Sequence, residues 1–409
     1  MTNQEPRRFG LYYSTTTDRY RQADLEGIIP LLHRMGVGWL VVRSTAARAV
    51  PEDFLKGLLA HGITPFVHFV LPLETPPAEV GVLLRSYARW GVRHVAFFDR
   101  PNLQGAWGRA WGQPDLPARF LDAFTPLAAA ADVEGLQPFF PPLAPGGDYW
   151  DLAFLRAALQ GLRRRNPLVA ERLGLCAYAW AEGKPLDWGR GGPEVWPAAQ
   201  PYFTPPDSED HRGFRIFDWY AVEARAALGR VPPIFLLGMG SRYGYEPDEA
   251  VESKNTAIAR LFWENDLPAE VLGGAFWVLT APAESPEGRA AWLEPSGKPR
   301  GTVAALEALR PQSPRPERTA RQAAVAARRY ILLPTFARGV PPHYLSAALP
   351  WLQRGEATVG FSVEEALRAQ HITLLGSPDD FPPEARTALQ ASGATLEWVP
   401  VNSPTEVAL

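Results

Sequence analysis

Short runs of apolar residues alternate along the chain with longer stretches in which apolar positions recur at helical spacing. Continuous apolar runs are typical of parallel strands buried on both faces, and the longer stretches are typical of helices that pack one face on a sheet. The pattern predicts eight strand–helix units before residue 310. The predicted strands are 9–14, 38–44, 63–71, 92–99, 136–141, 173–180, 233–239 and 271–280, and the predicted helices are 23–35, 51–61, 77–90, 117–133, 148–165, 207–228, 248–264 and 301–309.

The arrangement of these units favours a closed barrel. Glycine directly follows three of the amphipathic stretches, at Gly36, Gly62 and Gly91, where a residue with positive φ commonly ends a helix. Eight consecutive units predict a (β/α)8 TIM barrel. The alternative, a doubly wound open sheet, usually carries a glycine-rich phosphate loop after its first strand. Residues 14–19 read Ser-Thr-Thr-Thr-Asp-Arg at that point and contain no glycine.

A second, smaller domain follows the barrel. Residues 311–328 are rich in proline and arginine and poor in large apolar residues, which is typical of a linker. The alternation then resumes, with predicted strands at 330–334, 357–361, 372–376 and 395–399 and predicted helices at 342–353, 363–370 and 382–392. We therefore predict a barrel over residues 1–310 and a small parallel α/β module over residues 329–409.

Composition excludes several classes of function. The chain has 409 residues, 46% of them apolar and 21% charged, and a formal charge of -3, so it offers no basic surface for nucleic acid. Cys176 is its single cysteine, which excludes an internal disulfide and a cysteine-ligated metal cluster. No apolar run is long enough to predict a membrane span. The first residues lack the apolar core of a secretory signal, so sequence alone predicts a cytoplasmic protein.

Aromatic and hydrogen-bonding side chains are concentrated at the predicted C-terminal ends of the barrel strands, where functional groups of such barrels lie. Sugars present apolar C–H faces and many hydroxyls, so a rim of this composition suits a carbohydrate. Taken one at a time, each residue is also explained by packing within the core. The candidate ligand-binding residues are Tyr12, Arg43, His68, Asp99, Asn102, Trp107, Tyr178, Trp180, Tyr243 and Trp277.

Neither a metal nor another cofactor is expected. His68 has no second histidine or carboxylate at ligand spacing, and Gly240-Ser241-Arg242 is not a nucleophile elbow. Asp148 precedes a predicted helix and is expected to be its N-cap.

Several segments resemble the retaining (β/α)8 glycoside hydrolases, which carry an acid/base Glu in Asn-Glu-Pro after strand four and a nucleophile Glu in Thr-Glu-Phe-Gly-Trp after strand seven. Residues 98–103, Phe-Asp-Arg-Pro-Asn-Leu, are similar to the first motif, and residues 233–240, Pro-Ile-Phe-Leu-Leu-Gly-Met-Gly, are similar to the second. Residues 143–149 and Cys176-Ala177-Tyr178 resemble further segments of the family, and Trp277 matches a tryptophan of the sugar subsite. The resemblance covers about 300 residues.

On this matching both catalytic carboxylates are replaced. Arg100 stands at the acid/base position and Gly238 at the nucleophile position. Retaining hydrolysis needs two carboxyl groups, and an arginine does not donate a proton at neutral pH. The resemblance therefore implies a catalytically degenerate, hydrolase-like barrel that binds carbohydrate or serves as a structural component.

Two alternatives remain open at this point. Asp99 and Glu182 would serve an active hydrolase of the inverting type, in which the two carboxyl groups stand further apart. A purely structural protein without a ligand is the other alternative. The segments 374–378 and 392–394 of the second module resemble small α/β repeats of bacterial surface proteins, which implies protein partners and a surface-associated or extracellular location.

Overall fold

The computed structural model describes residues 8–309, 329–334, 341–354, 357–367, 369 and 371–401. The chain divides into two compact units, Met1–Arg310 and Pro311–Leu409. The predicted linker at 311–328 lies outside the described residues.

The first unit is a closed barrel of eight parallel strands in chain order, which confirms the predicted fold. Its strands are β1 (Phe9–Tyr12), β2 (Trp39–Ser44), β3 (Thr64–Phe69), β4 (His94–Phe97), β5 (Gln137–Phe140), β6 (Gly174–Trp180), β7 (Ile234–Gly240) and β8 (Val271–Phe276). Its helices are α1 (Gln22–Met35), α2 (Glu52–Ala60), α3 (Pro77–Arg89), α4 (Leu116–Val133), α5 (Asp151–Arg165), α6 (Pro167–Arg172), α7 (Ile216–Leu228), α8 (Asp248–Trp263) and α9 (Gly301–Leu309).

The structure departs from the predicted boundaries where local chemistry interrupts a regular element. Strand β4 ends at Phe97 instead of continuing to residue 99, since Phe98 adopts a positive φ that a strand does not accommodate. A separate short helix, α6, precedes β6. It begins where the Asn166 side chain accepts a hydrogen bond from the Val169 N–H and Pro167 takes the first helical position.

Alternate residues of the strands point into the barrel and fill it. The lower interior is built from rings, with Phe66 stacked on Phe235 at 4.4 Å between centroids and Trp39 at 5.2 Å from Phe235. His94 lies among these rings, 5.1 Å from Trp39. The lower part of the barrel is therefore a packed core.

The second unit contains a four-stranded parallel sheet, which confirms the predicted small α/β module. Its strands are β9 (Arg329–Leu332), β10 (Thr358–Gly360), β11 (His371–Leu375) and β12 (Thr395–Val399), in the spatial order β10-β9-β11-β12. Its described helices are α10 (Pro342–Arg354), α11 (Val363–Ala366) and α12 (Pro383–Ala391). Two buried apolar clusters, one with Ile372 and Leu374 and one with Ile331 and Leu375, cover the two faces of the sheet.

Among the described helices, none combines the length and the apolar character needed to cross a membrane.

Burial among the interior rings makes barrel stability depend on pH through His94. Burial lowers the pKa of His94 from 6.5 to about 4, so the native protein binds fewer protons than the unfolded chain between these values. Stability should therefore fall as the pH falls through this window. We expect the free energy of unfolding, measured in urea, to change less with pH in His94→Phe than in the wild type, by up to about 3 kcal/mol between these pH values. The exposed His61→Gln should leave the profile unchanged, and an unchanged profile in His94→Phe would contradict the assignment.

Candidate functional site

The backbone at the end of β4 adopts a conformation that is rare for bulky residues. Phe98 has a φ of 70° and Arg100 a φ of 47°, both in the left-handed region that favours glycine. Three hydrogen bonds hold this turn: Phe98 N–H to the Phe69 carbonyl at 2.8 Å, Arg100 N–H to the Pro142 carbonyl at 3.0 Å, and His68 Nε2 to the Phe98 carbonyl at 2.8 Å. Strained residues persist where surrounding contacts over-determine them, and they cluster at functional sites.

His68 belongs to a buried hydrogen-bond chain that leads from β1 to this turn. Its Nε2 faces the Phe98 carbonyl, which only accepts, so Nε2 carries the proton. Its Nδ1 therefore accepts from the Tyr12 hydroxyl, at 3.0 Å. Burial lowers the pKa of His68 and raises the pKa of Tyr12, so both groups are neutral near pH 7. Among the described residues, no group of three histidine, cysteine or acidic side chains is placed to hold a metal.

Both carboxylate oxygens of Asp99 accept hydrogen bonds. Oδ1 accepts from the Tyr178 hydroxyl at 2.7 Å, and Oδ2 accepts from Arg100 Nε at 3.0 Å and pairs with its Nη2 at 2.9 Å. Burial alone would lower the pKa of Arg100, but Asp99, Tyr178 and Glu287 raise it above its ordinary value. In this arrangement Asp99 is an acceptor rather than a proton donor.

Glu182, the second carboxylate of the inverting alternative, is also paired. Arg242 from the loop after β7 donates to Glu182 Oε1 through Nε and Nη2. The Arg242 guanidinium also lies over the Trp180 ring, 4.4 Å from its centroid, and over the Tyr245 ring at 4.0 Å. Each carboxylate that the sequence offered as a substitute acid is thus bound to an arginine.

Aromatic rings from three strands meet at the mouth of the barrel. Tyr178 and Trp180 are stacked, with 5.1 Å between centroids and 16° between planes. Trp277 meets Trp180 nearly edge-on, at 6.2 Å and 83°, and lies 4.5 Å from the Tyr12 ring. Trp180 and Trp277 are partly exposed, so their apolar surface is accessible from solvent.

A side chain at the matched nucleophile position would have to displace the neighbouring rings. A Cβ added to Gly238 would lie 2.5 Å from Trp180 Cη2 and 2.9 Å from Tyr178 Cδ1. Real Cβ atoms do not approach other heavy atoms so closely, because repulsion rises steeply below van der Waals contact. The two rings cover the backbone where a nucleophilic carboxylate would have to project.

A cleft of about 720 Å³ opens beside the turn at the end of β4. One wall is the loop 70–74 after β3, and the other is the loop 98–108 after β4. Asp99, Arg100, Trp107 and Glu74 supply polar and aromatic groups to its lining. Trp107 is fixed by a hydrogen bond from its Nε1 to the Pro101 carbonyl at 2.6 Å.

Two of the candidate residues are engaged inside the protein instead of at the mouth. Asn102 is fully buried, and its amide bonds the backbone of Ala144 in both directions and the Tyr149 carbonyl, which ties the loops after β4 and β5 together. Tyr243 is buried, and its hydroxyl bonds Thr302 at the start of α9. Neither side chain has a polar group left for a ligand.

Asp148 is not the cap of α5, which corrects the expectation from sequence. The helix begins at Asp151 after Trp150, and Asp148 instead accepts a hydrogen bond from the Gln104 N–H at 2.8 Å. In Gly146-Gly147-Asp148 an acidic residue follows two glycines, a pattern that is typical of a helix start. Two more loop residues, however, separate Asp148 from the helix.

Sequence reasoning missed Glu287 and the role of Arg242. Glu287 lies in the loop after β8 and is partly buried, and its charge acts on Arg100. In a (β/α)8 barrel all eight loops that follow the strands lie at the mouth. The carboxylates after β8 could therefore have been named as candidate site residues from the sequence.

No family model matches the sequence, and no curated protein matches it. Solved structures do match the barrel. A family 39 glycoside hydrolase from the gut symbiont Bacteroides cellulosilyticus WH2 has a TM-score of 0.51 and 11% identity, over 74% of this chain and 64% of that chain. The barrel has the fold of the (β/α)8 glycoside hydrolases.

Two other solved structures are similar at lower scores. A monomeric β-xylosidase from Caulobacter crescentus CB15 is 14% identical, with a TM-score of 0.48 over 75% of this chain and 68% of that one. A GH128 endo-β-1,3-glucanase from Sorangium cellulosum is also 14% identical, with a TM-score of 0.46 over 75% of this chain and all of its own. The match to the Bacteroides enzyme spans less than two thirds of that enzyme's chain. At these identities the likeness concerns the fold alone.

The crowding at Gly238 predicts a specific pattern of coupling. We expect Gly238→Ala to lower the free energy of unfolding by about 1–3 kcal/mol, because the added methyl group must displace the Trp180 ring. In a Trp180→Ala background the same change should cost less, since the nearest obstructing ring is gone. Urea denaturation of the four proteins in this double-mutant cycle measures the coupling. Additive effects would show that the ring does not limit this position.

Proposed function

We propose that the barrel is a catalytically degenerate, glycoside-hydrolase-like module that binds carbohydrate at its mouth without cleaving it by the retaining mechanism. The observation that carries the proposal is the packing of Tyr178 and Trp180 over Gly238, which obstructs a side chain at the matched nucleophile position. Arg100 at the matched acid position adds to this, because a guanidinium holds its proton throughout the physiological range.

The rings at the mouth support the binding half of the proposal. Trp277 presents a flat, partly exposed surface set nearly perpendicular to Trp180, whose own ring is stacked on Tyr178 and lies under Arg242. Such surfaces pack on the C–H faces of sugar rings, while Asp99, Arg100 and Arg242 are near enough to address hydroxyl groups. A site that combines flat apolar surface with fixed hydrogen-bonding groups recognises sugars by shape and polarity together.

Removal of a mouth ring should weaken glycan binding. We expect Trp277→Ala to reduce the affinity for a glycan that the wild-type protein binds by about tenfold to a hundredfold, since the substitution removes one stacking surface. A glycan array followed by calorimetry on the best ligand measures this. Trp111→Ala, on the loop after β4, is a control for the general loss of a partly buried tryptophan. Equal loss in both variants, or no glycan retained by the wild type, would contradict a carbohydrate site at the mouth.

Hydrolysis should be absent in the wild-type protein. We expect no turnover of aryl glycosides above the buffer rate, and none in an Arg100→Glu/Gly238→Glu variant, because Trp180 and Tyr178 obstruct the second carboxylate. Asp99→Asn and Glu182→Gln should therefore change nothing in this assay. Turnover by the wild type that either substitution abolishes would establish the active alternative.

For the second unit and the location of the protein, the expectations from sequence stay predictions. Leu345 and Leu349, one helical turn apart on α10, are each 47% exposed, which supports contact with a protein partner. A surface-associated location would be tested by fractionation of the source cells.

A further inference from the structure

Arg43 is the second-last residue of β2, at the end of the strand that faces the mouth of the barrel. In the strand register it stands directly beside His68 of β3. His68 points into the barrel, because it bonds Tyr12 from β1. Side chains at matched positions of neighbouring parallel strands point to the same side, so Arg43 points into the mouth as well. Its charge acts on both Tyr12 and His68, which agrees with that placement.

Arg43 differs from Arg100 and Arg242 in having no acidic partner among the described residues. Arg100 pairs with Asp99, and Arg242 pairs with Glu182. Over the residues described, no carboxylate lies within 4.0 Å of the Arg43 guanidinium. Its side chain is held by one hydrogen bond, from Nη1 to the Thr15 carbonyl at 2.7 Å. The guanidinium is thereby oriented while Nε and Nη2 keep their N–H groups for another acceptor.

The immediate surroundings do not offset this charge. Tyr12 and His68 are neutral near pH 7, for the reasons given above. The charge of Asp99 also acts on Tyr12 and His68, but both of its oxygens are already engaged by Tyr178 and Arg100. The Arg43 charge is thus left without an ion-pair partner among the described residues, and an anionic group on a ligand would offset it.

We propose that Arg43 binds the carboxylate of an acidic sugar, so that the ligand of the mouth is a saccharide that contains uronic acid. This inference rests on the proposed carbohydrate-binding function. An arginine fork matches a planar carboxylate with two parallel hydrogen bonds. Trp277 packs 4.5 Å from Tyr12, and Tyr12 bonds His68, the neighbour of Arg43 in the sheet. One sugar residue can therefore contact a ring surface and the guanidinium together.

Calorimetry with matched ligands tests the inference. The probes are trisaccharides of galacturonic, glucuronic and mannuronic acid, each with its carboxyl-reduced neutral counterpart, and a sulfated trisaccharide. We expect at least one uronate to bind about tenfold to a hundredfold more tightly than its neutral counterpart, with an affinity that weakens as salt is added.

Variants assign that preference to one residue. Arg43→Gln should abolish the preference for the acid while weak binding of the neutral sugar persists. Arg43→Lys should keep part of it, because the charge remains but the two parallel hydrogen bonds do not. Arg89→Gln, the same change of charge on the exposed end of α3, is the matched control and should bind like the wild type. If Arg43→Gln does not fold, the wild-type affinities for the acid and neutral ligands, and their salt dependence, still test the preference for an acidic sugar.

The outcomes separate the two proposals. Equal binding of acid and neutral sugars overturns the role of Arg43 and leaves carbohydrate binding in place. Preference for the sulfated ligand, or a uronate preference that Arg43→Gln and Arg43→Lys both leave intact, also overturns it. If the wild type binds neither these probes nor any glycan on the array, the proposed function fails and this inference fails with it.

Discussion

Space at the end of β7 is occupied by the stacked rings of Tyr178 and Trp180, and the chemistry of the barrel mouth follows from that packing. Because a Cβ at Gly238 would lie 2.5 Å from Trp180, a side chain could enter this position only if the Trp180 ring moved. The same stack places the Tyr178 hydroxyl on Asp99 and one face of Trp180 under Arg242. One packing contact thus crowds the Gly238 backbone, places the Tyr178 hydroxyl on Asp99 and supports Arg242.

Arginine is the common partner of the acidic groups at this mouth. Asp99 and Glu182 each accept from a guanidinium, and Glu287 acts on Arg100 from the opposite loop. These ion pairs fix the positions of Asp99 and Glu182 on the two sides of the mouth.

The turn that ends β4 connects these features to the barrel. Phe98 and Arg100 keep their left-handed backbone because His68, Phe69 and Pro142 bond the turn from three sides. The turn places Asp99 within hydrogen-bond distance of both Tyr178 and Arg100. A buried histidine thereby acts through a backbone carbonyl, which is a positioning role that requires neither charge nor metal.

The sequence by itself determined the barrel and the second α/β unit, since buried parallel strands and amphipathic helices leave periodic patterns that any chain with this fold must show. It also identified most of the strand ends at which Tyr12, Asp99, Tyr178 and Trp277 meet. Only the tertiary structure decided which of the candidate residues are engaged inside the protein. Asn102 and Tyr243 have the composition of site residues, yet their partners Ala144 and Thr302 lie far along the chain. The pairing of Glu182 with Arg242 and the crowding at Gly238 likewise depend on contacts between different strands and loops. Local residue patterns do not predict distances between residues that are far apart in the chain.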